Sequence, residues 1–187
     1  FKSIVAPRPI GWISTRSAQG VLNLAPYSFF NAFSDIPPII GFATNGQKKD
    51  SLRNVEQTGV FAWSLVTRKL AEAMSATSAT VPPEVNEFEL AGLTPAESRL
   101  IDAPHVAESP VSFECKCTEI LHLKNAQGEP VAAWLVLGEV IAVHIDKALL
   151  TSGSYDTAAA GHVARGGGLA DYFSLGSDNL FKIMRPE

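Results

Sequence analysis

Residues 111–145 dictate most of what this chain can become. Val111 to Leu123 alternates apolar and polar side chains and is rich in β-formers, and Asn125-Ala126-Gln127-Gly128 has the composition of a turn. Val131 to Ile145 is a second long run, with apolar residues on both of its faces. Two such runs joined by a short turn pair antiparallel, and a strand that is apolar on both faces needs cover on each side. Everything else has to be arranged around this hairpin.

Shorter runs upstream repeat the pattern. Ile10 to Arg16 and Val21 to Ala25 flank Ser17-Ala18-Gln19-Gly20, which predicts a β-hairpin with glycine at the last loop position. Pro37-Pro38 halts the segment before it, and Ile39 to Thr44 forms a further strand that ends in the polar loop 45–49. Asp50 to Thr58 reads as a short helix, with Asp50-Ser51 as its N-cap, Leu52 and Val55 on one apolar face and Gly59 at C′. It leads into a strand over Val60 to Val66.

Lys69 to Ala76 has helical spacing, Ser75 to Asn86 reads as a loop, and Leu180 to Met184 as a last strand. Six or seven strands, mostly in hairpin order with a few short helices, predict a mainly β fold. The expected form is a closed or partly closed antiparallel barrel, and periodicity leaves a sandwich open. No repeat or interdomain linker is visible, so residues 1–187 are expected to form a single domain with an insert at roughly 76–110.

Composition removes several function classes. With 46% hydrophobic and 18% charged residues, the 187-residue chain is too apolar for disorder and rich enough for a sizeable core. A net charge of −4 with scattered Lys and Arg lacks the basic face that nucleic acid requires, so no nucleic-acid partner is expected. No apolar run reaches the roughly 18 residues of a spanning helix, and no membrane association is expected. Cys115 and Cys117, two apart on one strand, do not meet disulfide geometry; reduced thiols point to a cytoplasmic protein. His105, His122, His144 and His162 are dispersed, and although His122 and His144 fall on expected strands where they could face each other, no spacing suggests a metal site.

Two stretches carry the chemistry. Gln47-Lys48-Lys49-Asp50-Ser51-Leu52-Arg53 sets two ammonium groups and a hydroxyl at a helix start whose free N–H groups favour an anion, a plausible phosphate site; the same residues also fit a solvated basic loop with an Asp cap. Asn23-Leu24-Ala25-Pro26-Tyr27-Ser28-Phe29-Phe30-Asn31 mixes hydroxyl and amide groups with three aromatic rings. That suits a flat heteroaromatic ligand, and it also fits aromatic core with polar caps.

The ordered set Pro7-Arg8-Pro9-Ile10-Gly11-Trp12-Ile13-Ser14-Thr15, Asn23 to Asn31, Pro37-Pro38 and Lys49-Asp50-Ser51-Leu52-Arg53-Asn54 resembles the flavin reductase-like family of FMN-binding split-barrel proteins. Leu137-Gly138-Glu139-Val140, Arg165-Gly166-Gly167-Gly168, Tyr172 and Arg185-Pro186 are also similar to that family, so the resemblance covers nearly the whole chain. It implies a six-stranded Greek-key barrel and a homodimer with FMN held non-covalently near the subunit interface. Carried over by position, it puts Ser14 and Thr15 beside the flavin. Ala25, Pro26, Tyr27, Ser28, Phe29, Phe30 and Asn31 then line the isoalloxazine, and Lys49, Asp50 and Ser51 lie at the ribityl phosphate, with Arg165 and Tyr172 as further contacts.

The implied activity is an NADH- or NADPH-dependent flavin reductase that passes hydride to FMN N5 and electrons on to oxygen, a metal complex or a partner oxygenase. The flavin carries that chemistry, so no catalytic side chain is expected. One departure from the family pattern favours an alternative, a non-catalytic FMN carrier or sensor. Related reductases resemble each other in a Gly-Asp-His element, thought to help nicotinamide binding, where this chain has Val131-Ala132-Ala133. A third reading has the barrel binding some other apolar ligand beside a merely basic loop.

Overall fold

The expected central hairpin forms, in a computed structural model that describes residues 1–186. In chain order the first elements are β1 (Arg8–Pro9), β2 (Gly11–Arg16), β3 (Leu22–Tyr27), β4 (Phe30–Asp35), β5 (Pro38–Asn45), α1 (Asp50–Thr58) and β6 (Val60–Ser64). A 3-10 turn at Arg68–Leu70 leads into α2 (Ala71–Ala76), then α3 (Glu87–Leu90), β7 (Pro95–Ala96) and β8 (His105–Val106). The long strands are β9 (Val111–Lys124) and β10 (Pro130–Ile145), followed by β11 (Leu150–Thr151), β12 (Ser154–Tyr155), α4 (Thr157–Ala160), β13 (Val163–Arg165) and β14 (Tyr172–Ser174).

The main sheet has seven strands in the order β3-β2-β6-β9-β10-β5-β4, all neighbours antiparallel. Its two edge strands, β3 and β4, are consecutive in the chain and joined only by Ser28-Phe29, so the sheet has to curl until its edges approach. Side chains from six strands meet inside: Ile13, Tyr27, Phe42, Phe61, Cys115 and Val136 belong to one buried cluster. The Tyr27 and Phe42 rings, from strands near opposite edges of the sheet, lie 4.8 Å apart. This is a split barrel of mainly β structure. Fully burying a side chain such as Phe42 or Phe61 stabilises it by about 1.5–3 kcal/mol.

Register shifts bend the long hairpin around this core, at Leu137/Gly138 and Val140/Ala142. At the first of these only glycine fits, because a Cβ on Gly138 would enter the Phe61 ring.

A second apolar cluster lies on the other face of β2 and β3. There Trp12 and Leu24 pack with Met74, Phe88, Leu93 and Val106, so the segment between β6 and β9 covers that face of the sheet. The Trp12 indole N–H donates to Thr77 Oγ1 at 3.0 Å.

Four expectations need correction. The barrel sheet has seven strands where six were implied, because Phe30–Asp35 forms β4; Asn31 to Phe33 are all exposed, which hides the usual alternation. Lys69 to Ala76 is a 3-10 turn followed by α2, not one helix. Leu180 to Met184 is not a strand: it has no ladder partner, and Leu180, Phe181, Ile183 and Met184 are exposed. His122 and His144 do not face each other: His122 stacks on Trp134 and His144 on His105, because residues so far apart along one hairpin sit at different levels.

Candidate functional site

The helix α1 begins without a cap. Lys49 is the N-cap residue in extended conformation, with no side-chain bond to the first turn, so the expected Asp50-Ser51 cap is not used. Asp50 instead lies in the first turn and pairs with Arg53 Nη2 at 2.5 Å, and Arg53 also donates to the Lys48 carbonyl. The first-turn N–H groups therefore point outward with the dipole behind them, while the carboxylate that would oppose an anion is neutralised by Arg53. Lys48 pairs with Glu56 at 2.5 Å, and exposed Lys49 makes no ion pair among the described residues.

This helix end borders a cleft of about 390 Å³ whose walls include Tyr27, Lys49, Ser51 and Arg53 from the barrel side and Thr77 to Val81 with Pro83 from the segment after α2. Below the cleft runs a buried polar network. Ser51 Oγ donates to Asn23 Oδ1 at 2.6 Å, Asn23 Nδ2 donates to Glu87 at 3.1 Å, and Asn54 Nδ2 donates to Thr15 Oγ1 at 2.9 Å. Burial raises the Glu87 carboxyl above its usual range, against the opposing bonds from Leu24 and Asn23.

The Tyr27 side chain lines the cleft, and its buried hydroxyl sits beside Ser51, which opposes the effect of burial on its pKa, without completing a hydrogen bond to any described residue. Burial pushes its pKa up to about 12, so it is a proton donor at any physiological pH. A buried hydroxyl without a partner costs free energy unless a ligand satisfies it. Together with the free N–H groups and Lys49 it makes a donor set for an anionic group of cofactor size, and the residues present fit the phosphate end of FMN.

The expected site residues divide into groups. Ala25, Pro26, Tyr27, Lys49, Asp50 and Ser51 come together on the cleft. Ser14 and Thr15 lie fully buried behind it, Ser14 donating to the Pro104 carbonyl and Thr15 joined to Asn23 and Asn54. Ser28, Phe29, Phe30 and Asn31 run across the seam between the barrel edges. Phe30 stacks on Trp63 at 5.8 Å, Phe29 lies under the Arg8 guanidinium, and Asn31 is exposed. Arg165 and Tyr172 do not line the cleft; they stack on each other at 4.6 Å in the small sheet β1-β13-β14.

Two carboxylates in or beside the insert carry no sequence signal. Glu87 accepts from Leu24 N at 3.0 Å, and fully buried Glu114 accepts from Arg99 N, Leu100 N and His144 Nε2. Both carboxylates sit in polar-looking stretches, and only long-range contacts mark them. Ala132, in the departure from the reductase element, uses its carbonyl to accept from Gly46 N, tying the start of β10 to the loop that feeds α1. Among the described residues no group of three or more His, Cys, Asp or Glu could hold a metal ion, and no helix is long and apolar enough to cross a membrane.

Comparison with known proteins agrees with this architecture. The model of the flavin reductase-like domain matches residues 4–159. An uncharacterised protein of Halalkalibacterium halodurans is 37% identical over 186 residues, covering 97% of this chain and 87% of that protein. The crystal structure of nitrilotriacetate monooxygenase component B from Bacillus cereus superposes with a TM-score of 0.89 at 31% identity, covering 97% of this chain and 90% of the other. A protein from Shewanella frigidimarina, described as a flavin reductase with a split-barrel domain, gives 0.85 at 29% identity over 99% and 89% of the two chains.

Proposed function

Because this chain belongs to the flavin reductase-like family and is an FMN-dependent oxidoreductase of flavin-reductase type, we propose that the cleft beside α1 holds FMN and that the protein reduces it with NADH or NADPH. The observation that carries the reading is the uncapped α1 N-terminus and unpaired Lys49 on the same cleft that Tyr27, with its buried and unsatisfied hydroxyl, helps to line.

In this proposal Lys49, the Asp50 and Ser51 N–H groups and the Tyr27 hydroxyl hold the phosphate. Thr15, Asn23 and Asn54 fix Ser51 and the helix start from behind. Ala25 and Pro26 supply apolar wall, and residues 77–83 exclude water from the opposite side. FMN held there would supply the redox chemistry, hydride transfer from NADH or NADPH to its N5 and electron transfer on to oxygen, a metal complex or a partner oxygenase. The partner oxygenase is suggested by the similarity to a monooxygenase component B. Arg165 and Tyr172 lie outside this cleft, and the homodimer with FMN near its subunit interface is tested directly by sedimentation or light scattering.

The test is an absorption spectrum of the purified protein from about 300 to 500 nm, before and after anaerobic NADH and then NADPH. Bleaching of a flavin spectrum supports the reductase. A bound flavin that persists supports the carrier or sensor, which the Val131-Ala132-Ala133 sequence favours. Failure of added FMN to bind refutes both.

A further inference from the structure

The return limb of the insert, residues 98–106, is fastened to the barrel at one point of unusual chemistry. Glu114 on β9 is fully buried and accepts from the N–H of Arg99 at 2.9 Å and of Leu100 at 2.7 Å. Its remaining partner is His144 on β10, whose Nε2–H donates to Oε1 at 2.6 Å. His105 on β8 stacks on the His144 ring with centroids 4.9 Å apart and an interplanar angle of 16°. The His105 Nδ1 is buried and has no partner among the described residues.

We propose that Glu114, His144 and His105 form an acid-sensitive clasp that holds residues 98–106 on the barrel near neutral pH and releases them when His105 takes up a proton. A proton on His105 sets a charged ring against the stacked His144 ring, 4.9 Å away and already held to Glu114, in a site that burial keeps from solvating it. The added proton at Nδ1 finds no acceptor.

The groups facing His105 are few. Glu114 comes from β9 and His144 from β10, β7 presents Ala96 in register, and β6 contributes Ser64, whose Oγ accepts from Val106 N. Arg16 pairs with both Glu97 and Asp102 nearby, and both carboxylates are exposed. Burial first, and His144 second, already hold the His105 imidazole below its ordinary range, while Glu114 opposes them. A base whose pKa is lowered on folding contributes stability above its unfolded value near 6.5 and loses it as pH falls.

Release would travel. His105 and Val106 pair with Ala96 and Pro95, and Val106 packs with Phe88 and Leu93, so the return limb holds the part of the insert that leads back to the cleft. The clasp holds whichever ligand the cleft takes, and its release is read on the ligand-free chain.

The experiment is hydrogen–deuterium exchange of the full chain at about pH 7.5 and 5.5, corrected for intrinsic exchange, on wild type and on His105→Phe. Phe keeps a ring to stack and cannot be protonated; His105→Leu repeats the test without a ring. The expected result is a loss of protection of several-fold, up to a limit of about tenfold for one imidazole, at Arg99 and Leu100 in the wild type on acidification. Protection in the His105 variants stays within about twofold. Unchanged wild-type protection at the lower pH overturns the proposal, and so does a parallel loss in the variants, which would place the acid response elsewhere, for instance at His162.

Discussion

Tyr27→Phe separates what the fold wants from what the ligand wants. The ring sits in the barrel core 4.8 Å from Phe42, and Phe preserves that packing, so the change is confined to one hydroxyl that is buried and unpartnered in the free protein. Removing it relieves about 1–3 kcal/mol of uncompensated desolvation. At about 2–4 °C per kcal/mol for a chain of this size, the ligand-free protein is expected to melt several degrees higher.

The flavin complex responds in the opposite sense. A hydrogen bond to a charged phosphate contributes about 1.5–3 kcal/mol, so the FMN dissociation constant is expected to rise roughly ten- to hundredfold. Thermal melts with and without FMN, with a flavin-fluorescence titration, measure both signs in one pair of proteins. A variant that is less stable without ligand, or that binds FMN as tightly as wild type, refutes the assignment of Tyr27 as a donor kept for the ligand.

Lys49→Ala removes an exposed, unpaired ammonium, so it should weaken FMN binding by about 1.5–3 kcal/mol and flatten its salt dependence without moving the ligand-free melting temperature. Gly138→Ala drives a methyl into the Phe61 ring at the bulge and is expected to cost about 1–3 kcal/mol in chemical denaturation. Burial lowers the His105 and His162 imidazoles, so the unfolded chain binds more protons and stability should fall as pH drops below about 6.5. Lowered Glu114 adds to that loss at more acid pH, while raised Glu87 opposes it, because the folded chain takes up that proton first; denaturation midpoints from pH 8 to about 4 read the balance.

Local signals were legible in proportion to how much of their meaning is local. The hairpin Gly11–Tyr27, α1 with Gly59 at its end and the long pair Val111–Ile145 are written in periodicity and turn composition, and all form. The Lys49-Asp50-Ser51 helix start was also visible, because an anion-favouring N-terminus is a property of four consecutive residues. What the sequence concealed depends on distance. Tyr27 looks like core until its hydroxyl is found alone. Glu87 and Glu114 read as surface acids although their partners lie dozens of residues away. Ser14 carries a motif position yet spends its hydroxyl on Pro104.

Glu87 also bears on how the chain avoids its own kind. As an edge strand of the main sheet, β3 carries backbone donors that another chain's strand could use. The Leu24 N–H is taken by Glu87, and Asn23 by the same carboxylate, while Phe88 covers the neighbouring apolar surface. An exposed row of donors beside Trp12 and Leu24 is an aggregation template, so trimming the insert to make a smaller enzyme should yield strand-paired, insoluble protein. The segment that walls the cleft is at the same time the cover of an open sheet edge.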